Sequence, residues 1–329
     1  MPFTLSHPAA VLPLMRRPFV PAALVAGAMA PDVPYFLAVL GVSETSAQDW
    51  YGPLLNATGT HTPGLGALTA LVWALGLVAA GRLLRAPLAA LLPAGLRLPE
   101  PGRTNGARAG ARYVLWLLVS ALIGIASHVA WDAFTHGDGF LVTHVPLLRA
   151  PVVGGLTAAR LLQYASTAFG LAAFGWYLWQ RRGRLRVHGD GAGTVARPRP
   201  FVRWGVVTLL VAAPLLGGAV HAREDFHAHR QVTEVDYGRP VTVDLGDGAS
   251  GTTYPSRTVP APWGTLAEGV LTGAAKRAGA SFAAVLLLYS VLWQIGAVPR
   301  RPATGAAGVS FPEERKADAG TLLAKGDTR

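Results

Sequence analysis

The third long apolar stretch of the chain ends in three ionisable side chains spaced four residues apart: His128, Asp132 and His136. In an α-helix, residues at this spacing lie on one face, with neighbours one turn apart. Imidazole nitrogens and a carboxylate placed in this way can share one divalent cation, and a central carboxylate can bridge two. The spacing therefore predicts a metal site on a single helical stripe. The alternative is a polar helix end that meets water.

Two further ionisable residues lie in apolar surroundings. Asp32 is inside the first apolar stretch, and His61 precedes the second. An ionisable side chain within a membrane span is costly, usually needs a partner and often marks a functional site. We therefore expect both residues to join the stripe on the third stretch. The chain has no cysteine, so its ligands would be nitrogen and oxygen atoms, which suit zinc or a similar divalent cation.

The composition excludes a soluble enzyme and a nucleic-acid-binding protein. Hydrophobic residues make up 51% of the chain and charged residues only 14%, whereas soluble domains carry about 25% charged residues. The net charge is +11, but the arginines alternate with apolar runs instead of forming one basic face. These features predict a protein of the bacterial cell (inner) membrane that contacts membrane lipid.

We predict an all-α integral membrane protein with about six transmembrane helices. A span needs roughly 20 predominantly apolar residues. Leu83–Leu98 is interrupted by prolines and is predicted to lie in the membrane interface. The predicted spans are Phe19–Leu40, Leu65–Gly81, Tyr113–Phe134, Leu156–Trp179, Gly205–His221 and Ala280–Val298.

The distribution of arginine predicts the orientation of these spans. Segments 82–112 and 181–204 are rich in arginine, whereas 41–64 contains neither Lys nor Arg. Because basic loops are retained in the cytoplasm, this pattern places the predicted metal ligands at the extracytoplasmic ends of the spans. The inner ends offer no second polar cluster, which disfavours an ion pathway.

The chain divides into four predicted regions. Residues 1–225 form a polytopic membrane domain that carries the His/Asp cluster. Residues 226–279 form an extracytoplasmic loop that is partly β, because Val232–Asp247 alternates valine with polar residues as in a short hairpin or meander. Residues 280–298 form the final transmembrane helix, and 299–329 a disordered cytoplasmic tail.

The position of His7 has two interpretations. Because it precedes Arg16 and Arg17, a simple count of spans places it on the cytoplasmic side. Alternatively, Thr4–Leu14 is a short helix that turns at the arginine pair and brings His7 back by about 13 Å towards Asp32. The alternative to a ligand role is a histidine that only caps the start of a helix.

Five stretches of the sequence resemble the bacterial membrane proteins of domain-of-unknown-function family 4184. They are Met1–Ala10, Met29–Asp32, Thr60–Gly64, Ser127–His136 and Leu161–Thr167. The order of six ionisable residues is also similar, more distantly, to that of zinc-dependent phospholipases C, single-strand nucleases and membrane-bound metal-dependent hydrolases. The six are His7, Asp32, His61, His128, Asp132 and His136.

The distant resemblance implies a helical, zinc-binding phosphoesterase in which all six residues are metal ligands. It implies that Asp132 can bridge two ions, and we expect Asp132 and His136 to act in catalysis. The chain departs from those enzymes because it lacks their N-terminal Trp, and its last His-x3-acid pair, His221 and Asp225, corresponds only loosely.

The leading functional hypothesis is a membrane-bound, zinc-dependent hydrolase. Its substrate would be an amphiphilic, lipid-like phosphoester at the outer membrane boundary. The alternatives are a transporter for metal ions or protons, and a non-catalytic scaffold whose polar cluster holds helices together.

Overall fold

The structure is a computed structural model that describes residues 4–37, 51–62, 64–93, 106–153, 156–185, 197–236, 238–246 and 249–296. It is mostly helical, with three two-stranded antiparallel sheets. The short helices are α1 (Pro8–Val11), α2 (Pro21–Met29), α3 (Val33–Leu37), α4 (Gly52–Leu55), α5 (Ala57–Thr60), α8 (Phe140–His144), α9 (Pro146–Arg149) and α12 (Ala222–His229). The long helices are α6 (Leu65–Leu91), α7 (Ala107–Thr135), α10 (Ala158–Arg181), α11 (Pro200–Ala219) and α13 (Trp263–Gln294). Single 3₁₀ turns cover Thr4–Ser6, Leu12–Leu14, Ala30–Asp32 and Arg182–Leu185.

Four helical segments of the described residues are long and apolar enough to cross a membrane, and they contain α6, α7, α11 and α13. Their outward surfaces expose large apolar side chains such as Val114, Leu215 and Leu271. Contiguous apolar surface of this kind is unusual on a soluble protein. The chain is therefore a membrane protein by the length and composition of its helices.

The six-span prediction differs from the structure at two positions. The predicted first span, Phe19–Leu40, is divided into α2, a 3₁₀ turn and α3. Pro31 and Pro34 lack the amide hydrogen that a continuous helix needs, which explains the break. The predicted fourth span corresponds to α10, which is not among the four apolar helices. Six spans therefore stay a prediction, and residues 38–40 lie outside the described part.

The segment Leu83–Leu98 does not form a separate interfacial element in its described part. Instead, α6 continues through Pro87 to Leu91. A proline leaves the carbonyl four residues earlier without its helical donor. Here Gln294 Nε2 on α13 donates to the Leu83 carbonyl at 3.2 Å, and Tyr289 donates to the Pro87 carbonyl at 3.2 Å. Gln294 therefore replaces the donor that Pro87 lacks, and Tyr289 adds a second contact between the same two helices.

The core around the predicted cluster is the contact between α2 and α7. Gly27 on α2 and Gly124 on α7 lie at the crossing, where a Cβ on either would collide with the backbone of the other helix. Small residues let helix backbones approach closely in membranes. This close approach positions the turn after α2, which carries Asp32, beside the part of α7 that carries His128.

The segment between α12 and α13 contains the strands β3 (Gln231–Val235), β4 (Val241–Gly246), β5 (Ala249–Thr253) and β6 (Ser256–Pro260). β3 pairs with β6, and β4 pairs with β5. The pairing is therefore nested, and β3 does not pair with β4 as in a simple hairpin over Val232–Asp247. The other hairpin joins β1 (Pro151–Val153) to β2 (Leu156–Thr157).

The last helix begins earlier than predicted. α13 starts at Trp263, whereas the apolar run suggested a start at 280. Its first half is less apolar because it packs on α11 and α12, where Arg277 pairs with Asp225 and Ser281 lies against Gly217. The predicted tail, 299–329, lies outside the described residues.

Candidate metal centre

Four separate segments bring the six predicted ligands together. His7 directly precedes α1, Asp32 ends the 3₁₀ turn after α2, and His61 follows α5. His128 and Asp132 lie on α7, and His136 is the residue after its last turn. Asp32 and His128 are fully buried.

Short local interactions explain how Asp32 and His61 reach the cluster. Asn56 caps α5 by accepting a hydrogen bond from the Gly59 amide at 2.9 Å. Thr60, at the end of α5, donates to the Pro31 carbonyl at 2.7 Å. This bond joins the loop that carries His61 to the turn that carries Asp32.

Asp32, His61, His128 and Asp132 form a group that could hold a metal ion, with one ligand atom from each within 4.8 Å of the others. His128 Nε2 lies 3.1 Å from Asp132 Oδ2, and His61 Nε2 lies 3.3 Å from the same oxygen. Both imidazole Nε2 atoms lie 3.5 Å from Asp32 Oδ1. Ligands bound tetrahedrally at 2.0–2.1 Å are about 3.3 Å apart, so these separations fit a single small cation.

The two imidazoles of this group are oriented by backbone carbonyls. His61 Nδ1 lies 2.7 Å from the Ala57 carbonyl, and His128 Nδ1 lies 2.8 Å from the Ala28 carbonyl. A carbonyl only accepts, so each Nδ1 carries the hydrogen and each neutral ring has its lone pair on Nε2. The two Nε2 atoms nevertheless face each other at 3.1 Å. Such an approach requires a cation or an extra proton between the rings.

Asp32 is held by its other oxygen. Thr4 Oγ1 donates to Asp32 Oδ2 at 2.7 Å. Asp32 Oδ1 is buried and has no hydrogen-bond partner among the described residues. The carboxylate is thus fixed with one oxygen directed at His61 and His128, as expected of a metal ligand oriented by its neighbours.

The second oxygen of Asp132 faces a different pair of histidines. Asp132 Oδ1 lies 3.3 Å from His136 Nδ1 and 3.8 Å from His7 Nε2. All three atoms are buried without a hydrogen-bond partner in the described part of the chain. His7 also stacks on the His128 ring, with centroids 3.9 Å apart. Helical structure across Thr4–Leu14 therefore returns His7 to the cluster. This is the second of the two interpretations of its position given above.

Residues 1–245 match the family described as domain of unknown function (DUF4184). The chain belongs to this family. The DUF4184 region contains all six cluster residues and ends within β4, so α13 lies outside it. This confirms the family resemblance seen in the sequence motifs. No curated protein and no solved structure matches the chain.

Two histidines of the DUF4184 region that lie outside the spans differ in protonation. Burial, and next the neighbouring His128, lower the pKa of His7 to about 4, so its ring is neutral at pH 7. Burial also acts to lower the pKa of His61. Attraction of its protonated ring to the Asp132 and Asp32 carboxylates outweighs that effect and raises the pKa to about 9. Without a metal, these carboxylates therefore favour the protonated form of the His61 ring.

Other candidates in the DUF4184 region lie apart from this group. Asp225 pairs with Arg277, and His221 pairs with the exposed Glu224. His144 is exposed and its Nδ1 contacts the Phe140 carbonyl at 2.7 Å. These residues do not join the six-residue cluster in the described part of the chain.

Sequence reasoning missed two hydroxyl residues that support the ligands. Thr4 orients Asp32, and Thr60 joins the loop of His61 to the turn of Asp32. The only signal was their position inside the motifs Met1–Ala10 and Thr60–Gly64, because a threonine carries no chemical indication of which carboxylate or carbonyl it will contact.

Proposed function

We propose that the chain is a membrane-bound, metal-dependent hydrolase that cleaves a lipid-like phosphoester at the extracytoplasmic membrane boundary. The observation that supports this most is the convergence of unpartnered lone pairs in a buried site. Asp32 Oδ1 and Asp132 Oδ2 face the Nε2 atoms of His61 and His128, and Asp132 Oδ1 faces His7 and His136; none of the three oxygens has a hydrogen-bond partner among the described residues. Neutral imidazoles leave two negative charges there, which a divalent cation would balance.

The donor set favours zinc. Two imidazoles and two carboxylates at tetrahedral separations are typical zinc ligands, whereas magnesium and calcium prefer sites made of oxygen atoms. His7 and His136 on the other oxygen of Asp132 would complete a set of six ligands, with Asp132 as the bridge. In this proposal His7 contributes a neutral ring, which is the form that binds a metal.

The more exposed residues mark where a substrate approaches. The side chains of His61 and His136 are 20% and 23% exposed, whereas those of Asp32 and His128 are fully buried. A divalent cation would supply a Lewis acid that polarises a phosphoryl oxygen and acidifies a water molecule. With a single cation held by the four-residue group, His136 would not be a ligand, and its ring, 3.3 Å from Asp132 Oδ1, would take a proton from the attacking water and deliver a proton to the leaving alkoxide. Asp132 would orient His136 for that transfer.

The remainder of α7 does not favour transport of metal ions or protons. The next buried polar residue towards the other end of α7 is Ser120, about 12 Å along the helix from His128. Its hydroxyl donates to the Trp116 carbonyl at 2.6 Å and accepts from the Val20 amide at 2.9 Å. Because the Ser120 hydroxyl already donates and accepts a hydrogen bond within the protein, it is not positioned to bind an ion that passes along α7.

The proposal is tested by elemental analysis of the detergent-purified protein together with a hydrolysis assay. The assay uses a chromogenic phosphodiester and short-chain phospholipids. We expect stoichiometric zinc and measurable hydrolysis in the natural chain, and loss of both in a His128→Ala, Asp132→Ala double variant. His144→Ala is the matched control, because it removes an exposed histidine of α8. Metal content that is unchanged in the double variant would contradict the proposal.

A further inference from the structure

The segment between α7 and α10 exposes an apolar surface although each of its elements is too short to cross a membrane by itself. It runs through α8, α9 and the β1–β2 hairpin. Phe140 is 67% exposed, Leu147 73% and Val153 63%, one on each of these elements. From Phe140 to Leu156, Arg149 is the only Lys, Arg, Asp or Glu in the sequence. We call residues 140–153, together with Leu156, the apolar rim.

The apolar rim begins directly beside the cluster. Gly139 packs so closely on the end of α7 that a Cβ there would lie 2.8 Å from the Asp132 carbonyl and 2.9 Å from that of His136. The chain therefore folds back over the turn that carries these two residues. The rim starts at the next residue, within one helical turn of the cluster.

Exposed apolar residues also follow another residue of the cluster, His61, in the chain. Leu65 and Leu68, in the first turn of α6, are 75% and 59% exposed and follow His61 closely in the chain. They continue into the exposed apolar surface of α6, which includes Val72. Exposed apolar residues therefore follow both of the partly exposed histidines of the cluster, His61 and His136, closely in the chain.

We propose that the apolar rim lies within the bilayer leaflet on the cluster's side, so that the cluster opens towards lipid and receives its ligand from the membrane. A bilayer fits better than a protein partner because the rim continues the apolar surfaces of the spanning helices and offers few charges for a specific partner. Short apolar elements with an occasional basic residue are typical of segments in the membrane interface. Arg149 is exposed and suits the phosphate groups there.

One part of this inference rests on the proposed function: that the ligand from the membrane is a substrate. Under that function, an amphiphilic phosphoester would keep its acyl chains in the leaflet while its headgroup reaches His61 and His136. The embedding of the rim does not depend on catalysis, so it can be tested separately.

The absence of cysteine permits a direct test with spin labels. Single cysteines at Leu147 and Val153 would carry a nitroxide, in nanodiscs of phosphatidylcholine and phosphatidylglycerol. Collision rates with oxygen, which concentrates in lipid, are compared with those of a water-soluble nickel chelate. Leu215→Cys on α11 is the lipid-facing reference, and Thr233→Cys on β3 is the reference outside the helices.

We expect both rim labels to match Leu215, with high oxygen and low nickel accessibility. Labels that match Thr233 would overturn the proposal. Labels shielded from both reagents would also overturn it, because they would show that protein covers the rim. Metal content is measured on the same samples. Failure of the proposed function then appears as missing metal, and failure of this inference as water-accessible or shielded labels.

Discussion

Among the described residues, the half-buried Asp225 and the buried carboxylates Asp32 and Asp132 are neutralised in different ways. At the contact of α12 and α13, Asp225 is bound by both terminal nitrogens of Arg277, which carries a permanent charge. In the cluster, the ion-pairing partners of Asp32 and Asp132 are histidines. An arginine neutralises a carboxylate at any ordinary pH, whereas an imidazole does so only when it is protonated.

The difference separates a structural pair from a binding site. Asp225 and Arg277 are complete within the chain, although Arg277 Nε keeps no partner in the described residues. Asp32 and Asp132 keep unpartnered buried oxygens that face imidazole lone pairs. Under the proposed function, a cation supplies in the cluster the positive charge that Arg277 supplies to Asp225.

The largest effect is expected from equivalent changes in the two places. Asp132→Asn should abolish metal binding. Asp132 contacts four histidines through its two carboxylate oxygens, whereas an asparagine amide offers one acceptor oxygen and no negative charge. Asp225→Asn should leave metal content unchanged and lower the free energy of unfolding by roughly 2 kcal/mol, the range for a hydrogen bond to a charged group. Elemental analysis and thermal unfolding check both. Equal metal loss in the two variants would break the distinction between the sites.

A second prediction concerns the close crossing of α2 and α7. Gly124→Val should force the helices apart, because its Cβ would collide with the Leu24 carbonyl. The Ala28 carbonyl would then withdraw from His128 Nδ1, and we expect weaker metal binding and a lower unfolding midpoint. Gly110→Val on the same helix is the control, since a Cβ there meets nothing. The Asp225–Arg277 pair should be unaffected by either change.

A third, smaller effect is expected at Thr4. Thr4→Val removes the hydrogen bond to Asp32 Oδ2 and should lower metal affinity by about 10–100-fold, the usual consequence of losing a residue that orients a ligand. Thr4→Ser keeps the hydroxyl and should bind nearly as the natural chain does. Competition with a chelator of known affinity measures the difference. An affinity for Thr4→Val equal to that of Thr4→Ser would show that Asp32 does not need this orientation.

The smallest expected effect is that stabilisation of the fold by zinc depends on pH. The Asp225–Arg277 pair should contribute no such dependence. The pKa of His61 is raised from 6.5 to about 9 without metal, so its proton stabilises the metal-free fold below about pH 6.5. That contribution is lost as the pH rises through 9. A metal competes with this proton, so stabilisation by added zinc should grow over the same window. Thermal unfolding with and without zinc measures it. A constant shift across the window would contradict the assignment of His61 as a ligand.

The sequence predicted which ionisable residues come together better than it predicted where the helices begin and end. The spacing of His128, Asp132 and His136 placed them on one helical face because helical periodicity is local. Convergence with Asp32 and His61 followed from the cost of ionisable groups among apolar residues. The return of His7 stayed open, because it depends on how the chain turns at Arg16 and Arg17.

The remaining features depend on contacts between distant segments. The carbonyls of Ala28 and Ala57 orient His128 and His61. Every residue has a backbone carbonyl, so the residue type does not indicate which carbonyl contacts a histidine. The continuation of α6 through Pro87 required a donor from Gln294, far away in the chain. The nested pairing of β3 with β6 likewise could not be distinguished from a simple hairpin by alternation alone.

The most direct test of the central claim is X-ray absorption spectroscopy at the zinc edge on the purified, zinc-loaded protein. We predict four or more nitrogen and oxygen neighbours at about 2.0–2.1 Å, with the outer-shell scattering of imidazole rings. That imidazole signal should be absent from the His128→Ala, Asp132→Ala variant. A spectrum of zinc surrounded only by water oxygens, or one unchanged by the double substitution, would contradict the account.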